Sequence, residues 1–131
     1  MIFRYKKIQG VSRPVVPIKI QYRNRSVTYE VLVDSGADVC MFDAEVGDAL
    51  GIPFFDGLVG EVSGVTGLTK PYYIHPVTIT VGDHVFDVEA EFLSNVSRFG
   101  YGVVGQRGFF DQFIVSFDFL KEEISISKRS G

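Results

Sequence analysis

The strongest constraint on this chain is a two-residue alternation that recurs along most of its length. Val16, Ile18, Ile20 and Tyr22 alternate with Pro17, Lys19 and Gln21, and Val27, Tyr29, Val31 and Val33 alternate with Thr28, Glu30 and Leu32. Successive side chains of a strand point to opposite faces, so this period reads as half-buried β-structure. Arg23-Asn24-Arg25 joins the two runs as a turn, with Asn as the residue expected to accept a left-handed backbone. Val77, Ile79 and Val81 run into a Gly82-Asp83 turn, after which Phe86, Val88, Ala90 and Phe92 alternate with Asp87, Glu89 and Glu91. A last pair is formed by Val115, Phe117 and Phe119, a turn over Leu120 to Glu123, and Ile124 with Ile126.

Two stretches break the period. Asp43 is placed to cap a short helix from Ala44 to Leu50, closed by Gly51 and Pro53. Gly105 to Phe113 reads as a second short helix, because Phe109, Phe110 and Phe113 share a helical spacing. Many short strands in 131 residues predict an all-β fold, a small barrel or sandwich with one or two short helices, as a single domain over 1–131. With 46% apolar residues, twelve of them Phe, the chain can bury a real core.

Composition excludes several functions. A net charge of −3 with no basic stripe argues against nucleic acid. Cys40 is alone, so no internal disulfide forms, and it reads as a buried small apolar residue. His75 and His84 lack metal-ligand spacing, so no metal is expected, nor any organic cofactor. The basic start Met1-Ile2-Phe3-Arg4-Tyr5-Lys6-Lys7 lacks a signal-peptide core, and no apolar run is long enough for a membrane helix. A cytoplasmic setting and no membrane partner are the expectations.

Chemistry concentrates in Val31-Leu32-Val33-Asp34-Ser35-Gly36-Ala37-Asp38. An apolar run delivers an acid into a turn of small residues, where burial would disfavour its charged form. Ser35 offers a hydroxyl, and Gly36 and Ala37 leave backbone N–H groups open to the carboxylate. Read alone, the tetrapeptide is equally an ordinary Asp turn satisfied by the next N–H groups.

From Arg13 to Ile126 the order of motifs resembles the retropepsins, the retroviral-type aspartic proteases. The resemblance rests on Arg13-Pro14-Val15-Val16-Pro17-Ile18-Lys19-Ile20 opening the core, on Asp34-Ser35-Gly36-Ala37, on the glycine-rich stretch Gly60 to Gly67, and on Val103-Val104-Gly105. It implies a small closed β-barrel of the acid-protease type, with a protease core over about 13–126 and a β-hairpin flap over about 58–74. Asp34 would be the catalytic acid, and Ser35 would tie two active-site loops together. Gly36 and Asp38 would bind the main chain of a peptide, with Gly64, Val65, Thr66 and Gly67 at the flap tip. Leu32, Val65 and Val104 would line apolar pockets. Arg13, Ser35 and Val65 would meet a second subunit, Arg13 beside its Asp38.

Peptide hydrolysis of this kind needs two carboxylates at one water, whereas this chain has one such motif and no internal repeat. The resemblance therefore implies a homodimer, with an extended peptide or protein as substrate. Three departures stand out. Ser35 replaces the more usual Thr, Gln106-Arg107 follow Gly105 where Arg is usual, and the termini are unlike viral ones. A second reading of the same residues is a silent dimer that binds peptides or assembles partners, and a third is a monomeric barrel with a structural Asp. The acidic run Asp87, Glu89, Glu91 reads as a solvated strand face, or else as a lure for basic substrates.

Overall fold

In the computed structural model the described residues are 1–53, 58–63 and 69–130. Among the described residues twelve strands form: β1 (Ile2–Arg4), β2 (Lys6–Ile8), β3 (Val11–Arg13), β4 (Val15–Tyr22), β5 (Arg25–Val33), β6 (Met41–Asp43), β7 (Leu58–Ser63), β8 (Thr69–Val81), β9 (His84–Leu93), β10 (Gly102–Val104), β11 (Phe113–Asp118) and β12 (Glu123–Lys128). One α-helix, α1 (Ala44–Leu50), follows β6.

Alternation becomes a barrel because each strand buries one face. The strand order β4-β5-β10-β6-β9-β8 is closed by pairing of β8 with β4, and β7 extends it as a hairpin arm. Ile18, Ile20, Val31, Val33, Ile79, Val81 and Phe92 point inward, joined by Phe42, Phe109 and Phe113 in one continuous core. Closure leaves the six barrel strands without a free edge.

The β4–β5 turn is two residues long, and its left-handed residue is Arg23 at φ 55°, not Asn24. A two-residue hairpin of this twist asks for positive φ at its first central position, which Arg23 occupies. Helix α1 forms as the sequence suggests: the Asp43 carboxylate accepts from the Glu45 N–H, and Gly51 ends the helix at φ 75°. The second expected helix is instead one wide turn over Gln106–Phe110, broken at Gly108 by φ 95°. Phe110 and Asp111 donate five residues back, to Gly105 and Gln106, and Phe113 already begins β11.

The site depends on one topological feature. Strand β10 lies between β5, to which it is parallel, and β6, to which it is antiparallel. The chain passes from β5 to β6 through residues 34–40, so this segment must bridge the end of β10. Outside the barrel, β1, β12 and β11 make a separate three-stranded sheet, and β2 and β3 a small hairpin.

Candidate active site

Asp34 leaves β5 half-buried, and Ser35 and Gly36 after it are exposed. The turn closes on the acid itself: Gly36 N–H donates to the Asp34 carboxylate at 2.9 Å, and Ala37 N–H to its carbonyl at 3.1 Å. Asp34 N–H donates to the Val104 carbonyl at 3.0 Å, and Val33 N–H to Pro14 at 3.0 Å. The acid is thus fixed at its backbone by β10 while its side chain stays at the surface.

The segment after β10 frames the other side. Gln106 N–H donates to Ala37 carbonyl at 2.8 Å, Arg107 N–H to Asp38 carbonyl at 2.9 Å, and the Gln106 amide to Ser35 carbonyl at 2.7 Å. Gly105 must be glycine here, since a Cβ would stand 2.5 Å from the Ala37 carbonyl oxygen and 2.6 Å from that of Val39. Where an arginine is usual after this glycine, the brace is made by two backbone N–H groups and Gln106. No ion pair joins Arg107 to Asp38 among the described residues.

Cross-strand partners share a face, so register sorts the pocket candidates. Val104 pairs with Val33 and is fully buried in the core, which corrects its place as a pocket residue. Val103 pairs with Leu32 on the other face, and the same row continues through Val15, Met41, Glu91 and Ile74. This mostly apolar row runs across the barrel wall, and Glu91 within it has its pKa raised by burial. Beside the row, a groove of about 700 Å³ is lined by Asp38, Met41, Ile74, Glu89, Glu91 and Arg107 among others. The acidic strand face is thereby part of a groove that reaches Asp38.

Of the other candidates, Arg13 stacks over Phe99 at 5.7 Å, with its Nε buried and without a hydrogen-bond partner. Cys40 is fully buried, and burial pushes its thiol pKa up to about 11. Strands β7 and β8 pair from Leu58↔Ile74 to Ser63↔Thr69, while Gly64, Val65, Thr66 and Gly67 lie outside the described residues. Among the described residues no cluster of His, Cys, Asp and Glu fits a metal ion, and no helix is long and apolar enough to cross a membrane. Sequence reasoning missed the bracing role of Gln106, which was hidden by a bond spanning 71 positions.

A sequence model of an aspartyl protease family matches residues 16–107, from β4 to the wide turn. The chain belongs to this aspartyl protease family. No curated protein matches it. Among solved structures, this member of the family is similar to a retropepsin-like aspartic protease from Rickettsia conorii, with TM-score 0.68, 15% identity and 97% of each chain covered. It is similar to the retroviral protease-like domain of Ddi1 from Leishmania major, with TM-score 0.63 and 15% identity over 89% of this chain and 90% of that one. It also resembles the EIAV protease complexed with the inhibitor HBY-793, with TM-score 0.54 and 18% identity over 77% of this chain and 88% of that one. The fold is thus retropepsin-like.

Proposed function

We propose that this chain is a peptide hydrolase that works as a homodimer, with one Asp34 from each copy at a shared water. The observation that carries the reading is Asp34 itself, held by β10 and its own turn at the mouth of an otherwise closed barrel. One ionised carboxylate takes a proton from the water as it attacks the scissile carbonyl. The other, protonated, donates a hydrogen bond to the carbonyl oxygen. Two carboxylates sharing one water work with one proton between them, so activity is expected to peak at mildly acidic pH.

Several features fit a second copy. Neither Arg13 nor Asp38 has an ion pair within its own chain among the described residues, and each suits the other across a two-fold axis. The exposed Ser35 hydroxyl makes no hydrogen bond among those residues, which leaves it for the opposite loop. An extended peptide would lie as an added strand between the β7–β8 hairpin, acting as a flap, and the floor at Gly36 and Asp38. Leu32 and Val103 would then supply apolar contact to the side chains flanking the cut bond. This chemistry calls for no metal or cofactor.

Digestion of a mixed peptide library by the parent and by Asp34→Asn, over mildly acidic to neutral pH, tests the reading. Cuts made by the parent and absent from the variant are expected. Cuts that survive in Asp34→Asn, or a dimeric parent that cuts nothing at any pH, would overturn it in favour of a silent binding module.

A further inference from the structure

The acidic run on β9 is not uniform. Asp87 and Glu89 are exposed, whereas Glu91 is half-buried. Parity puts all three on the outer face of the barrel wall, and register decides what each one meets. Asp87 stands opposite Thr78, whose hydroxyl donates to its carboxylate at 2.8 Å, and Glu89 stands opposite Pro76. Glu91 stands between Met41 of β6 and Ile74 of β8. It is an acid in a row otherwise made of Val15, Leu32, Val103, Met41 and Ile74.

Among the described residues that charge is unanswered. The Glu91 carboxylate takes part in no hydrogen bond or ion pair there, and the ion pair that does form joins Lys6 to Glu30. Arg107 lines the same groove without pairing to it, and Asp111 is taken by the Gly108 N–H at 3.1 Å. Burial raises the Glu91 pKa. A carboxylate drawn out of water in this way is restored to its charged form by a cation beside it.

The row starts beside the acid and ends away from it. Leu32 lies two positions before Asp34, and strands spaced by about 4.8 Å put Glu91 roughly 10 Å beyond Val103 along the wall. The groove of about 700 Å³ joins Met41, Glu91 and Ile74 to Asp38, where the proposed peptide main chain is held. A side chain that suits this stretch has an apolar stem and a cationic tip. The methylenes of Lys or Arg lie along Met41 and Ile74 while the charge meets Glu91. An acidic side chain there meets a like charge, and an apolar one covers the carboxylate without giving it a partner.

We propose that Glu91 selects a lysine or arginine of the bound peptide, at a position beyond the residues that flank the cut bond. Leu32 and Val103 keep the flanking positions apolar, and Met41, Glu91 and Ile74 form the basic-side-chain pocket further out. The proposed two-fold axis repeats this pocket, one for each half of the peptide. The inference rests on the peptidase reading above and gives it a substrate class, peptides with an apolar centre and basic residues away from the cut.

The mixed peptide library reads this directly. Cuts made by the parent should carry Lys or Arg at a fixed distance from the cut bond, and cuts made by Glu91→Gln should not. Given one such peptide and its Lys→norleucine analogue, the parent should favour the basic peptide about tenfold in kcat/KM, and Glu91→Gln should treat the two alike. Glu91→Lys should turn the preference toward Asp and Glu at the same position. Asp87→Asn, on the same strand face, should keep the basic preference. Retention of the uncut library on Asp34→Asn, compared with the Asp34→Asn, Glu91→Gln double variant, reads the pocket without cutting. Asp34-dependent cuts with no basic preference would overturn the pocket and leave the peptidase reading. So would a preference that survives Glu91→Gln, or one that Asp87→Asn abolishes equally. A parent that cuts nothing, with basic peptides retained only while Glu91 is present, would leave the pocket and remove the peptidase reading. Neither cuts nor such retention would remove both.

Discussion

The loop at Asp34 and the sheet of β1, β12 and β11 solve opposite problems. Every turn of the loop is tied to something: Val104, Ala37, Asp38 and Ser35 carbonyls all accept bonds, and Gly105 leaves no room for even one carbon atom. The sheet instead gives β11 a neighbour on one side only among the described residues, and leaves Ile2, Ile114 and Phe117 exposed. The contrast separates a loop whose hydrogen bonds are completed within the chain from a sheet whose last strand has a neighbour on one side only among the described residues. Under the proposed chemistry an acid has to be positioned before a substrate arrives, and the frame around Asp34 is of that intramolecular kind.

Three experiments strain the tight side of this contrast. The largest effect is expected from Gly105→Ala. Its methyl overlaps the carbonyls of Ala37 and Val39, so the loop or β10 must shift. Overpacking of this kind costs about 1–3 kcal/mol, read from denaturant unfolding. A shift near 1 Å at Asp34 should lower kcat/KM by about 100-fold. Full activity in that variant would show the frame to be looser than its geometry implies.

A second test uses Cys40, which lies beneath Gly108 with its thiol pKa raised to about 11 by burial. Only the thiolate is alkylated, so iodoacetamide at neutral pH should leave the native thiol unmodified and label it on unfolding. Labelling of the folded protein at the rate of a free thiol would mean that the loop frame opens readily.

The smallest effect is expected at Glu91, whose pKa burial raises above 4.5. A raised folded-state value means that the folded protein binds the proton more tightly than the unfolded chain. The associated stability is full below pH 4.5 and is lost as pH rises through the raised value. Glu91→Gln should therefore flatten the fall of stability over that window and change little below it, which thermal unfolding against pH would reveal.

The long strands were legible because each alternates against one core, and α1 because Asp43 and Gly51 mark its ends. Strands β6 and β10, three residues each, were not, since their pairing is decided by residues far away in the chain. That same distance hid which of Val103 and Val104 shares a face with Leu32. Val103 and Val104 are indistinguishable until β5 sets the register. The wide turn after Gly105 imitated a helix because three phenylalanines reach one core from a bend and a strand start. The position of Asp34 at the end of an apolar run was legible, because an acid there needs no partner to be noticed, although its turn read equally as an ordinary one. The pairing of β1 with β12 could not, because Ile2, Phe3 and Arg4 are too few to show a period.

The insertion of β10 between β5 and β6 also sets an order of events. Asp34 lies in the first third of the chain, but the carbonyl that fixes its backbone belongs to Val104, and the amide bracing Ser35 sits 71 positions further along. Contacts so distant in sequence close late and slowly. During synthesis the acid leaves the ribosome long before its frame exists. A newly made chain therefore carries Asp34 without its frame until β10 and Gln106 have followed it out.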